Sequence, residues 1–467
     1  MLYKIFCKRK LRLITFAWLA GLSQVFGQAP GKGGTRLPEL VVTPYKTTLI
    51  ANGKDEAKVK ITVIDSEGKE IANASNAVQF KIEGDARIVA LKGAVAGTAN
   101  HAKLQNGELW FGLRAGRQKG IIKFDVSGEG LITGSTEIHM VQPGQPHAVT
   151  TTTWPIAGNA IITDRILGAD ISFLPQLEAR GMKFYDAKGQ QEDPVVILKK
   201  QGFNYARLRI FNNPAVAQGY SPQKGFCDLP HTRAMAKRIK AAGMKLLLDF
   251  HYSDTWADPQ KQFKPAAWVG LDFKTLTDSV RLYTAFVMQS LTDQGTVPDM
   301  VQVGNEINHG MIWPEGAINN LDSLARLIYA GIEGVKAVNA ATPIMLHVAL
   351  GGQVDEAHFF ISNMLKRKVP FDVIGLSYYP KWHGTPGDLR HSVANLAQTY
   401  QKYIMVAEYS ERKREVNDIA FTAAGKKGIG SFIWEPLNTW EAVFDRDGKA
   451  NAYLQAYPGI AKKYNVN

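Results

Sequence analysis

Between Pro38 and Val141 apolar side chains recur at every second position. Val59, Ile61 and Val63 alternate with Lys58, Lys60 and Thr62; Phe80 and Ile82 repeat the pattern, and so do Ile122, Phe124 and Val126. A period of two marks a strand with one buried face. Asp65-Ser66-Glu67-Gly68 supplies a turn between such runs. Several short alternating strands predict an all-β sandwich of about 100 residues. Past Pro143-Gly144-Gln145-Pro146 the pattern changes to short apolar runs alternating with amphipathic stretches of helical length. The runs are Leu167–Ser172, Tyr205–Ile210, Lys245–Phe250, Met300–Val303, Ile344–Val348, Val373–Ser377, Tyr403–Ala407 and Ser431–Trp434, and the last is followed by a helix near Ala450–Tyr464. Eight strand–helix units in roughly 310 residues predict an α/β fold, a (β/α)8 TIM barrel, preceded by the all-β domain. A doubly wound open sheet is disfavoured, because no Gly-rich phosphate loop follows the first strand.

The first 28 residues follow another rule. Lys4, Lys8, Arg9, Lys10 and Arg12 precede an apolar stretch from Leu13 to Val25, long enough for the core of a secretory signal and short for a membrane span. Cleavage is expected near Gly27 or Ala29, with a flexible linker to about residue 37. The expected organisation is a signal peptide at 1–28, the sandwich at 38–143 and the barrel at 150–467. Cys7 and Cys227 are the two cysteines. Removal of the signal leaves one, so no internal disulfide holds the exported protein. No later run is long and apolar enough to span a membrane. The net charge of +13 falls to +8 without the five basic residues of the signal. With no nucleic-acid motif and no dense basic run elsewhere, the charge reads as a solvated surface with some preference for acidic cell-wall material, and no nucleic-acid partner is expected. An exported monomer, periplasmic or extracellular, is expected.

Candidate chemistry collects where the barrel strands end. Glu306 closes Val301-Gln302-Val303-Gly304-Asn305-Glu306, and Glu408 closes Tyr403-Ile404-Met405-Val406-Ala407-Glu408. A carboxylate at the mouth of a buried strand is costly to desolvate, and barrel enzymes keep catalytic groups at C-terminal strand ends. One such glutamate would more simply pair with a cation. Two, about three strands apart, suggest the carboxylate pair of a glycoside hydrolase. Glu306 reads as the acid/base and Glu408 as the nucleophile. Arg209 is expected to keep Glu408 ionised and lower its pKa, and Asn305 to hydrogen-bond a sugar hydroxyl. Asp170, His251, Trp256, Asp258, Tyr378, Trp382, His383 and Trp434 complete the expected substrate-binding set. His251 with Asp249, Asp254 and Asp258 matches no standard zinc spacing, so neither metal nor cofactor is expected. Glu315 is expected to be a solvated loop residue and Glu435 a structural one. The sandwich holds no catalytic constellation. Trp110 and Phe111 are expected to pack in its core, and chemistry is expected to need only residues after Gly168.

Together these residues resemble glycoside hydrolase family 53, the endo-β-1,4-galactanases that cut type I arabinogalactan. The carrying motifs are Gly168-Ala169-Asp170-Ile171-Ser172, Gly202-Phe203-Asn204 with Arg207-Leu208-Arg209, and His251-Tyr252-Ser253-Asp254-Thr255-Trp256-Ala257-Asp258-Pro259. Gly304-Asn305-Glu306, Ser377-Tyr378-Tyr379-Pro380 with Trp382-His383-Gly384, and Trp434-Glu435-Pro436 complete them. The resemblance runs from about Leu167 to Trp440. It implies β-1,4-galactan as the polysaccharide substrate and a retaining double displacement through Glu306 and Glu408. Ile50-Ala51-Asn52-Gly53-Lys54-Asp55 with the turn at Asp65 resembles immunoglobulin-like modules appended to bacterial glycosidases. Only 25 residues separate Glu408 from Trp434, and Tyr409-Ser410-Glu411-Arg412-Lys413-Arg414 is a basic continuation. The calcium that some members hold in this region is therefore not carried over. The alternatives are a related barrel hydrolase acting on xylan, mannan or arabinan, and a non-catalytic galactan-binding protein. The mark of the latter would be a lost carboxylate, and both are present.

Overall fold

The structure, a computed structural model, describes residues 37–89, 100–142, 160–437 and 441–466. The expected signal, Cys7, the linker before Leu37, the Pro143–Pro146 boundary and Trp440 lie outside the described residues.

The N-terminal strands are β1 (Glu39–Pro44), β2 (Thr48–Ile50), β3 (Glu56–Ile64), β4 (Ala77–Glu83), β5 (Ala86–Val89), β6 (His101–Lys103), β7 (Glu108–Ala115), β8 (Gly120–Gly128) and β9 (Gly134–Val141). They form two sheets, ordered β1-β3-β7-β5 and β2-β9-β8-β4-β6. The alternation read along β3 and β8 is what fills the space between them: Val59, Ile61 and Val63 are buried with Ile122, Phe124 and Val126. Phe111 joins this core, 5.0 Å from the Phe124 ring. Its neighbour Trp110 does not, because successive strand residues face opposite ways. Trp110 lies on the outer face of its sheet, edge-on to Tyr45 at 5.3 Å.

The second part is a closed barrel of eight parallel strands in chain order: β10 (Ile166–Asp170), β11 (Tyr205–Ile210), β12 (Lys245–Phe250), β13 (Met300–Val303), β14 (Ile344–Val348), β15 (Val373–Tyr378), β16 (Tyr403–Tyr409) and β17 (Gly428–Ile433). Around them run α1 (Leu174–Ala179), α2 (Pro194–Lys200), α3 (Leu229–Ala241), α4 (Phe273–Asp293), α5 (Leu321–Val338), α6 (Val354–Lys366), α7 (Pro380–His383), α8 (Pro386–Tyr400), α9 (Lys413–Thr422) and α10 (Tyr457–Tyr464). Aspartates 193, 228 and 272 cap α2, α3 and α4 by accepting from backbone N–H groups of the first turn. The last helix is shorter than expected. It begins at Tyr457, where a proline sits in the first turn.

Barrel strands are covered on both faces, which is why they read as near-continuous apolar runs. Their inward positions change character with height. Tyr205, Leu247, Met300, Met345 and Val373 form an apolar plug at the N-terminal end. Two residues on, the same faces carry Arg207, Asp249, Gln302 and His347, all buried. Above the plug the barrel interior is polar.

The sandwich and barrel meet through buried polar contacts. Lys60 Nζ lies 3.1 Å from Asp388 Oδ1, and Thr43 donates to Asp388 Oδ2 at 3.1 Å. Thr47 donates to Glu356, and Thr48 meets His309. At Gly384 the approach is so close that a Cβ would lie 2.5 Å from Thr43 Oγ1, and its φ of +80° is one glycine adopts freely.

Candidate active site

Arg207 is the hub. Its side chain is 1% exposed, so an uncompensated charge there would be very costly. Three carboxylates surround it: Asp170 Oδ2 at 2.8 Å, Asp249 Oδ2 at 2.8 Å and Glu408 Oε1 at 2.7 Å. It also donates to Asn305 Oδ1 at 2.8 Å and to Gln302 Oε1 at 3.1 Å. Arg209, two positions on, faces inward as well but stands nearer the barrel mouth. It pairs with Glu435, and its guanidinium lies 4.6 Å from the Phe173 ring centre and 4.4 Å from that of Trp256. The expected Arg209–Glu408 pair is therefore corrected: Arg207 holds Glu408, and Arg209 holds Glu435, which is fully buried and structural as expected.

Glu408 has a second partner, Tyr379, whose hydroxyl donates to Oε2 at 2.9 Å. Burial raises the Glu408 pKa, and Arg207 holds the rise in check. The expectation of a lowered value is thus not met, because burial outweighs the charge of Arg207, and the charges of Asp170 and Asp249 add to the rise. Glu306 is pushed well above the ordinary carboxylate range, first by burial and then by the charge of Glu408. Among the described residues no cation pairs with it, and it accepts a hydrogen bond from Ser377 Oγ at 2.6 Å. The environments separate the two carboxyls, and the first proton belongs to Glu306.

Ser377 has one hydroxyl hydrogen, which goes to Glu306. His347 Nε2, 2.9 Å from Ser377 Oγ, must then be its donor, which leaves His347 Nδ1 to accept from Gln302 Nε2 at 3.1 Å. Burial holds the His347 pKa well below the usual imidazole value, with the charge of Arg207 next in importance. Gln302 donates onward to Asp249 Oδ1 at 2.6 Å. Glu306, His347 and Glu408 each present an atom within 4.8 Å of the others. Hydrogen bonds through Ser377 connect Glu306 to His347 and on to Gln302.

The strand-end turn aims Glu306. Gly304 has φ +85°, and a Cβ there would lie 2.6 Å from Ile307. Glu306 itself is left-handed at φ 49°, a conformation costing a side-chain-bearing residue about 1–2 kcal/mol. His309 anchors the following turn, its Nδ1 2.7 Å from Pro259 O and its Nε2 3.0 Å from Glu356 Oε1.

A cavity of about 630 Å³ opens over both glutamates. Of the expected set, Asp170, Arg209, His251, Trp256, Asp258, Asn305, Trp382, His383 and Trp434 line it. Asn305 is fixed in place, donating to Ala257 O at 2.9 Å while its oxygen accepts from Arg207. His251 Nδ1 accepts from Ala257 N at 3.2 Å, so Nε2 donates to Asp249 at 3.0 Å. Burial lowers the His383 pKa to about 4. Trp382 is 50% exposed at the rim. Tyr378 is a correction. It is fully buried, with its hydroxyl donating to Gly384 O at 3.1 Å, and it does not line the cavity. Ser377 faces inward, Tyr378 outward, and Tyr379 inward again onto Glu408. Glu315 pairs with Lys264 in its loop, away from the lining.

Arg207, Gln302, His347, Ser377 and Tyr379 were assigned no role from the sequence, and Asp249 was weighed there only as a metal ligand. The signal for Gln302 and His347 is a lone polar residue in Met-Val-Gln-Val and Ile-Met-Leu-His-Val. A buried polar group in an apolar run needs a partner, and here the partners are Arg207, Asp249 and Ser377 around the two glutamates.

A (β/α)8 barrel with two unequal carboxyls at the ends of its fourth and seventh strands, at the floor of one cleft, defines a barrel glycoside hydrolase. The profile of Glycosyl hydrolase family 53 matches residues 166–429, more than half of the chain, and the chain belongs to this family. Residues 40–137 match Glycoside hydrolase family 2 C-terminal domain 5. The barrel region is similar to an uncharacterised protein of Niallia circulans, 44% identical over 251 residues, which covers 52% of this chain and 66% of that one. It is also similar to an endo-beta-1,4-galactanase of Bacillus subtilis, 34% identical over 304 residues, 58% of this chain and 70% of that one. Among solved structures, the GH53 catalytic domain of Ignisphaera aggregans superposes with a TM-score of 0.60 at 34% identity, covering 65% of this chain and 99% of that one.

Proposed function

We propose that this chain is a retaining glycoside hydrolase that cleaves β-1,4-galactosidic bonds in galactan and type I arabinogalactan. In this reading Glu408 attacks the anomeric carbon while Glu306 gives its proton to the departing oxygen. Glu306 then takes a proton from water, which splits the glycosyl-enzyme. The galactan assignment rests on family membership and on the similarity to the Bacillus subtilis endo-beta-1,4-galactanase. The observation that carries the mechanism is the closeness of two unequal carboxyls. One carboxylate oxygen of Glu306 and one of Glu408 lie within 4.8 Å of each other, a close approach of the kind a retaining pair uses. Arg207 and Tyr379 leave Glu408 the better anion, and burial beside that anion leaves Glu306 the better acid. Asp170, Arg209, His251, Trp256, Asp258, Asn305, Trp382, His383 and Trp434 are the proposed substrate-binding groups. Tyr379 is added to them, and Tyr378 is removed.

Export through a signal at 1–28 is part of the same proposal, since a polysaccharide substrate lies outside the cell. No helix among the described residues is long and apolar enough to cross a membrane. The test is chemical rescue on aryl galactosides. Glu408→Ala should lose nearly all turnover and recover it with azide, giving an inverted galactosyl azide. Glu306→Ala should still be glycosylated by substrates with good leaving groups, and azide should speed its second step with retention. An inverted first product from the wild type would refute the assignment of Glu408.

A further inference from the structure

We infer that the outer face of β9 in the sandwich is part of the substrate cleft and holds the leaving-group end of the polysaccharide. The inference rests on the proposed roles of Glu306 and Glu408. Thr47, Ser135, Thr136, Glu137 and His139 line the same cavity as the two glutamates. Period two explains this for Ser135, Glu137 and His139, while Thr136, near the start of the strand, also reaches the cavity. Ile138 and Met140 point into the sandwich core, so Ser135, Glu137 and His139 point the other way. β9 is also held in place. Thr48 pairs with His139 in the β2–β9 register, and both side chains meet His309 of the barrel, Thr48 by hydrogen bond and His139 by ring contact at 5.6 Å. Thr47, beside Thr48, donates to the buried Glu356.

The chemistry says which end of the cleft this is. Glu306 gives its proton to the departing oxygen, so the leaving sugars lie on its side of Glu408. His309 is three residues past Glu306 and carries the sandwich contact. The opposite side, around Arg209, Trp256 and Trp434, is built by β11 and the loops after β12 and β17, and these three residues carry none of the sandwich contacts described above. The β9 face offers a hydroxyl, a carboxylate and an imidazole. These groups suit the hydroxyls of neutral sugars, and Glu137 repels a uronic-acid chain.

The test uses the full chain with Glu137→Ala, Ser135→Trp and, as a control on the same sheet, the exposed Lys81→Ala. Substrates are β-1,4-galacto-oligosaccharides labelled at the reducing end, with every product resolved by length, and an aryl galactobioside whose leaving group is short. Glu137→Ala should lower the ratio of kcat/KM on the long-leaving-group bonds to that on the aryl substrate by about tenfold, the factor one hydrogen bond to a charged group supplies. Ser135→Trp should shift cleavage to bonds nearer the reducing end, and Lys81→Ala should match the wild type. A wild-type cleavage pattern in both β9 variants would overturn the inference. If the wild type cleaves another polymer and not galactan, the substrate proposal fails. The same ratio, read on oligosaccharides of that polymer, then decides the β9 face separately.

Discussion

Replacing Arg207 by lysine keeps the charge and removes the fork. The guanidinium serves five acceptor oxygens: Asp170 Oδ2, Asp249 Oδ2, Glu408 Oε1, Asn305 Oδ1 and Gln302 Oε1, all between 2.7 and 3.2 Å. A lysine ammonium has three N–H groups on one atom, so at least two acceptors lose their donor. A hydrogen bond to a charged group contributes about 1.5–3 kcal/mol, which puts the loss at about 3–6 kcal/mol. A whole domain has about 5–15 kcal/mol of stability, so Arg207→Lys should fold with much of its margin gone, and Arg207→Met, which leaves Asp249 and Glu408 without their arginine and Asp170 with only Arg209 at 3.7 Å, should not accumulate as folded protein. The pH profile carries the mechanistic sign. Burial raises the Glu408 pKa and Arg207 opposes that rise. A weaker cation lets the pKa rise further, so the acid limb of kcat/KM, where Glu408 must be ionised, moves to higher pH. The assay is kcat/KM across pH, with urea unfolding at one pH to measure stability. Arg209→Lys is the counterpart. It disturbs Glu435 and the aromatic ring around it, costs stability, and should leave the acid limb in place. An acid limb that moves in Arg209→Lys and stays in Arg207→Lys would refute the assignment.

Two further substitutions have worked signs. The Glu306 pKa is raised in the fold, so its contribution is full below the unfolded value and is lost as pH rises through the folded one; Glu306→Gln should abolish turnover of the polysaccharide yet raise stability by about 1–2 kcal/mol at alkaline pH, and an equal difference at pH 4 and pH 8 in thermal unfolding would contradict this. The Glu356 pKa is lowered to about 2, burial being overcome by His309 and Thr47, and that of His309 is raised by the same pair. Glu356→Gln should cost about 3–5 kcal/mol, most between about pH 4.5 and 6.5, where Glu356 is still charged when unfolded and His309 still protonated. A pH-independent loss in urea unfolding would show that the pair is not ionic.

Much of the barrel was legible, because burial on both faces leaves strands that are apolar almost throughout and bounded by capped helices. Six of the eight strands start at the expected residue. Glu306 and Glu408 were legible for the same reason, as carboxylates that interrupt apolar runs. The pairing of the arginines was not. Arg207 and Arg209 are two apart on one strand, so both face inward and periodicity cannot rank them; only their height relative to Asp249 on β12 and Glu435 after β17 decides. Tyr378 and Tyr379 failed differently. The register shifts between Leu376 and Ser377 where β15 meets β16, and which of two adjacent tyrosines turns toward Glu408 depends on that shift.

The part least visible in the sequence is the dependence of the acid on the sandwich. Glu306 sits in a left-handed conformation that its own short turn does not enforce. What holds that turn is long-range: His309 is tied to Pro259 of the loop after β12, to Glu356 of α6 and to Thr48 of the sandwich, while Asn308 accepts from Ala349 N at 3.2 Å. Glu356 in turn accepts from Thr47. A barrel without its sandwich would place this buried carboxylate and imidazole in water and leave the turn with fewer anchors. The proposed catalytic residues all follow Gly168, but the turn that aims one of them is tied to residues before Val141. The sandwich therefore belongs to the active-site architecture even though it supplies neither reacting group.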